Sequence, residues 1–181
     1  MHKKVVYIVR NIYIVLTQTG TVLSKIIKLF TNGEYGHISL SLDKELNQMY
    51  SFGRLNAYNP FIGGFVKEGI NIGTFKRFKN TKAEIYSIEV TEDQYKKISE
   101  EIAKFERTKK KYKFNFIGLL CAGINYKLER KDAFYCAEFV KHLVDKAELE
   151  LDLPLVIKPI DFKNNTKKME LTYKGALKNY S

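Results

Sequence analysis

Residues 37–42 read His-Ile-Ser-Leu-Ser-Leu, an alternation with strict period two. Only a strand turns that pattern into one apolar and one polar face, because successive side chains of a strand point to opposite sides. A strand needs partners for its backbone groups, and the following sequence offers one. Turn residues at 43–46 lead into residues 47–53 (NQMYSFG), which read as its antiparallel neighbour in a hairpin. The β-branched runs at 5–9 and 12–16 and the alternating segment 83–90 (AEIYSIEV) add further strands. An antiparallel sheet is therefore the first requirement on this chain.

Helical signals fall mostly after these strands. Thr21 can cap a short helix whose apolar stripe is Val22, Leu23, Ile26, Ile27 and Phe30. Thr91-Glu-Asp-Gln94 is a capping signature for a charged amphipathic helix reaching about residue 109. Residues 114–124 are apolar enough for a more buried helix. A third, from 132 to about 148, places Cys136, Phe139, Val140, Leu143 and Val144 at helical spacing. Residues 54–74, rich in Gly, Asn and aromatics, read as a long surface loop. Strands paired with near neighbours and helices grouped elsewhere indicate an α+β fold. With no repeat and no Gly/Ser-rich linker, residues 1–181 read as one domain.

Composition narrows the function classes. The chain is 45% hydrophobic, which a disordered chain would not be. Apolar runs stop at five or six residues, against the roughly 20 of a membrane-spanning helix. Two cysteines exclude a disulfide scaffold and a four-cysteine zinc site, and no phosphate loop, metal-ligand cluster or dinucleotide fingerprint is visible, so no cofactor or metal is expected. The amino terminus begins like a signal peptide, but Arg10-Asn11 interrupts its apolar run and no small-residue cleavage site follows. The expectation is a protein of the reducing cytoplasm. The net charge of +11 rests on 26 lysines and only 5 arginines. Specific nucleic-acid readers favour the arginine fork, so none is expected. Basic stretches at 75–82 and 107–113, interleaved with aromatics, leave open a solvated face or docking to an anionic membrane or wall polymer.

Few residues can carry chemistry. His2 sits at the terminus, and His142 lies on the polar face of the third helix, where it reads as solvated. Cys121 falls in an apolar run and reads as a small buried hydrophobe. His37 opens its strand directly after Gly36, where an imidazole can project from the sheet. Cys136 lies near the start of a helix, where a thiol feels about half a positive charge from unpaired N–H groups. Thiols in such places are activated nucleophiles, although Cys136 also continues the apolar stripe of its helix.

Gly36-His-Ile-Ser-Leu-Ser-Leu42, a hairpin, and much later Phe134-Tyr-Cys-Ala-Glu-Phe-Val140 resemble the circularly permuted papain-like cysteine hydrolases. These are the permuted branch of the NlpC-type cell-wall amidases, together with YiiX-like bacterial proteins and the lecithin retinol acyltransferases. The resemblance covers roughly residues 37–144. It implies a papain-like antiparallel sheet packed against helices, with the nucleophile at a helix N-terminus and no cofactor. Cys136 would attack a carbonyl and His37 would hold and return the proton. A third polar group beside the histidine strand would orient the ring. Ser51 is the first choice, followed by Tyr50 and Gln48, with Glu68 as the one carboxylate further along. Glu138 reads instead as a first-turn acid favoured by the helix dipole. The implied activity is hydrolysis of an amide in a small peptide, amino-acid amide or other acyl substrate through a thioester. A lipid-directed acyltransferase or phospholipase on the same fold, and a non-catalytic basic binding module, are the alternatives.

Overall fold

The computed structural model describes residues 9–20, 33–164 and 167–180, without the side chains of residues 60 and 61. His2, residues 5–8 of the first expected strand and the expected helix at 21–30 lie outside the described residues. The chain forms an α+β fold around a six-stranded antiparallel sheet in the order β4-β3-β2-β1-β5-β8. These strands are β1 (Val9–Gln18), β2 (His37–Ser41), β3 (Met49–Asn56), β4 (Asn59–Glu68), β5 (Lys82–Thr91) and β8 (Glu170–Ala176). The alternation read at 37–42 is realised as β2, with β1 opposite it from Tyr13–Ser41 to Thr17–His37.

Period two divides the sheet between two cores. Ile12, Ile14 and Leu16 of β1, with Ile38 and Leu40 of β2, join the larger core beneath the helices. Tyr13 and Val15 join a smaller cluster with Met49, Phe75, Ile85 and Leu177. The larger core is closed by α2 (Glu92–Arg107), through Ile98, Ile102 and Phe105, and by α4 (Cys136–Lys146), through Phe139, Val140 and Leu143. Phe52, Phe65, Phe105 and Phe139 meet there edge-on or stacked at 5.1–6.0 Å between centroids. The capping box expected at Thr91 forms, with Thr91 Oγ1 accepting from Gln94 N and Gln94 Oε1 from Thr91 N. Among the described residues, no helix is long and apolar enough to cross a membrane.

Two expectations are corrected. The loop expected at 54–74 is mostly a strand: β3 continues to Asn56 and β4 returns beside it, before the short α1 (Gly73–Arg77). The Asn56 side chain accepts the Tyr58 amide at 2.8 Å and so closes the turn. The third helix does not begin at Asp132. Ala133–Phe134 (β7) first pairs in parallel with Lys113–Phe114 (β6), so Cys136 is the first helical residue of α4. Between them, α3 (Phe116–Gly123) starts at Asn115, whose side chain caps the Gly118 amide at 3.0 Å.

Candidate active site

The strand register brings His37 to the end of β2, next to Gly53 of β3. A Cβ on Gly53 would stand 3.4 Å from His37 Cε1 and 3.5 Å from Glu68 Oε1. A side chain at Gly53 would therefore crowd the place where ring and carboxylate meet. Glu68, the last residue of β4, reaches into this gap. Both of its carboxylate oxygens lie 3.1 Å from His37 Nε2. Ser39, two residues along β2 and so on the same strand face as His37, donates to Glu68 Oε2 at 2.5 Å and lies 3.4 Å from Nε2. The carboxylate is thus fixed by a hydroxyl and in turn fixes the ring. The side chains of His37 and Glu68 are 20% and 10% exposed, so the pair is largely shielded from solvent.

Cys136 meets the same imidazole. Its sulfur lies near enough to favour the protonated ring, without the close hydrogen-bond contact that Glu68 makes. With Nε2 engaged by the carboxylate, Nδ1 is the nitrogen left to serve the thiol. Burial alone would lower the imidazole pKa. The Glu68 charge, together with hydrogen bonds to Cys136 and Glu68, outweighs burial and raises it from 6.5 to about 10. His37 is therefore an imidazolium at neutral pH.

The start of α4 completes the surroundings. Cys136 is 2% exposed and sits where the first amides of the helix point outward without intrahelical partners. Glu138 occupies the first turn, as read from the sequence, and accepts the Tyr135 amide at 3.1 Å. Burial pushes its carboxyl up to about 7, against the lowering effect of the Tyr135 amide and the Asn115 side chain. Tyr135 is anchored by its hydroxyl, which donates to Ile157 O at 2.8 Å. A cavity of about 410 Å³ runs along the outer side of α4 between Glu138, His142 and Ile157, but neither Cys136 nor His37 lines it.

The sequence expectations divide at this site. His37 and Cys136 are brought together. The Ser51 hydroxyl is buried and donates to Ile38 O at 2.6 Å rather than to the ring. Tyr50 turns into the larger core and stacks on Phe65 at 6.0 Å. The Gln48 carbonyl closes the β2–β3 turn by accepting from Leu42 N and Ser41 Oγ. The position beside the ring belongs to Glu68 and Ser39. His142 is not solvated; it is partly buried and bonds Glu101 at 2.9 Å. Cys121 is partly exposed, less covered than Cys136. Among the described residues, no group of three or more His, Cys, Asp and Glu side chains is placed to hold a metal ion.

No family model, curated protein or solved structure matches the chain.

Proposed function

We propose that the chain is a cysteine-dependent hydrolase with a permuted papain-like arrangement, cleaving an amide by acyl transfer. One observation carries the reading: the His37 imidazole, held at 3.1 Å by the partly buried Glu68 carboxylate, also lies within electrostatic reach of a helix-start thiol, Cys136. Nucleophile, base and orienting group are the three parts that acyl transfer through sulfur requires.

In this mechanism the Cys136 sulfur, its proton held by His37, attacks the substrate carbonyl. The C–N bond breaks as His37 gives its proton to the departing amine, and a thioester on Cys136 remains. The neutral imidazole then takes a proton from water, the hydroxide adds to the thioester, and the acid leaves as the proton returns to the site. Glu68 holds the ring through Nε2 and so leaves Nδ1 for the thiol. Backbone N–H groups at the start of α4 face the developing oxyanion; one such donor is typically worth about 10²–10³-fold in kcat. Small peptides and amino-acid amides are the proposed substrates, and two free thiols suit a reducing, cytoplasmic setting.

An activated ester tests the chemistry without knowledge of the natural substrate. Wild type treated with p-nitrophenyl acetate and mapped by mass spectrometry should carry acetyl on Cys136, and the Cys136→Ala variant should release p-nitrophenol only at the background rate. Release that is unchanged in Cys136→Ala, or acetylation confined to lysines, would overturn the reading.

A further inference from the structure

The two basic stretches singled out in the sequence, 75–82 and 107–113, hold nine basic residues and no acidic one. The fold brings both to the β3–β4 hairpin. From one side, the Arg77 guanidinium stacks 3.9 Å above the Tyr58 ring and donates to Ala57 O at 2.8 Å. From the other, the Tyr112 carbonyl would lie 3.4 Å from a Cβ on Gly64, and Phe114 presses so closely on Gly63 that a Cβ there would stand 2.8 Å away.

Beside Asn56, the hairpin exposes large apolar side chains between these cations. Leu55, Tyr58 and Ile62 are 57%, 78% and 52% exposed. Phe114 connects them to α3, because its ring lies 6.4 Å from Phe116. Phe116 and Ile117, in the first turn of α3, are 38% and 52% exposed, and Ile124 and Tyr126 beyond its end are exposed too. Scattered apolar side chains on a surface are ordinary, but here the hairpin and the start of α3 are joined by the Gly63–Phe114 contact and the Phe114–Phe116 ring pair. Lys76, Lys79, Lys109, Lys110 and Lys113 are exposed around it.

We propose that the β3–β4 hairpin and the start of α3 form a docking surface for an anionic lipid bilayer. Leu55, Tyr58, Ile62, Phe116 and Ile117 would enter the interface, while the lysines and Arg77 meet lipid phosphates. Charge decides for lipid over a second copy of this chain: a copy would set these clustered cations against each other, whereas an anionic leaflet attracts each basic residue near its surface. An aromatic and aliphatic tip rimmed by Lys and Arg is also the pattern of interfacial elements.

The surface adjoins the candidate site at two points. Gly53, against the His37 ring, is two residues before Leu55. Phe134, paired with Phe114, is two residues before Cys136. Docking would hold the thiol close to the lipid surface. The inference does not depend on the hydrolase reading, because binding is measured apart from turnover.

Co-sedimentation tests it, with vesicles of phosphatidylglycerol and phosphatidylcholine against vesicles of phosphatidylcholine alone. Wild type and Cys136→Ala should bind the anionic vesicles equally at low salt, and raising salt to 1 M should release them. The double variant Tyr58→Ser/Ile117→Ser and the triple variant Lys109→Glu/Lys110→Glu/Lys113→Glu should each bind at least tenfold more weakly. All substituted side chains are exposed, and an unchanged circular dichroism spectrum checks the fold. Wild type that stays in the supernatant at low salt, binding indifferent to both variants, or a dimer in solution that Tyr58→Ser/Ile117→Ser dissociates would overturn the proposal.

Discussion

His37 Nε2 lies 3.1 Å from each carboxylate oxygen of Glu68, although 31 residues separate the two in the chain. The hairpin of β3 and β4 makes that distance, since it returns Glu68 to the level of Met49 after a turn at Ala57-Tyr58. In the proposed mechanism the contact sets the tautomer and orientation of the ring.

Glu68→Gln removes the charge and keeps the shape. It should lower kcat/KM for an activated ester by about 10²-fold or more, a magnitude common for loss of a general-base system's orienting carboxylate. Ser51→Ala, by contrast, should leave turnover within a few-fold and cost about 1 kcal/mol of stability, because it deletes only a hydrogen bond to Ile38 O. Parallel kinetics and urea denaturation of both variants check the pair. A larger loss of turnover in Ser51→Ala would return the orienting role to Ser51.

His37, Cys136 and Glu68 are not equally readable in the sequence. His37 and Cys136 stood out because each opens an element, one after Gly36 and one at a helix start. Glu68 was obscured because Gly63-Gly64 interrupt the period of β4, and a strand recognised by period two loses its signature there. Asn56, whose side chain closes the turn through the Tyr58 amide, was the available hairpin signal. Ser39 could have been read from the alternation, since 37 and 39 share a strand face. Ser51 also lay on the neighbouring strand, and only the register shows its hydroxyl engaged by Ile38 O. The partial exposure of Cys121 and the pairing of His142 with Glu101 depend on packing between α2, α3 and α4, which no local pattern encodes.

The raised pKa of His37 makes stability depend on pH. The folded value of about 10 exceeds the unfolded 6.5, so the native state holds this proton more tightly than the unfolded chain. Its contribution is complete below about pH 6.5 and is lost as pH rises towards 10. Urea midpoints of wild type should therefore fall between pH 6.5 and 9.5, and those of His37→Gln should fall less. Equal slopes would place the titration elsewhere.

Thr17 stands opposite His37 on β1, fully buried, and its hydroxyl has no hydrogen-bond partner among the described residues. An unpartnered buried hydroxyl costs about 1–3 kcal/mol. Thr17→Val, of the same shape, should raise the urea midpoint or leave it unchanged. A clear loss of stability would mean that the hydroxyl has a partner in solution.

Asn115 is buried, caps Gly118 and donates to Leu128 O at 3.0 Å. Asn115→Ala removes the cap and should cost about 1–2 kcal/mol of stability. It also removes a group that favours ionised Glu138, so the Glu138 carboxyl should titrate higher than about 7. Denaturant titration and carboxyl NMR would check the two effects separately.

The central claim, that His37 activates Cys136, is tested most directly by brief iodoacetamide labelling at pH 7 with peptide mapping of both cysteines. Cys136 is the more deeply buried thiol, so access alone would favour Cys121. The account predicts that Cys136 is nonetheless alkylated faster in wild type, and that His37→Ala abolishes the preference. Faster labelling of Cys121 in wild type, or a Cys136 rate unchanged by His37→Ala, would contradict it.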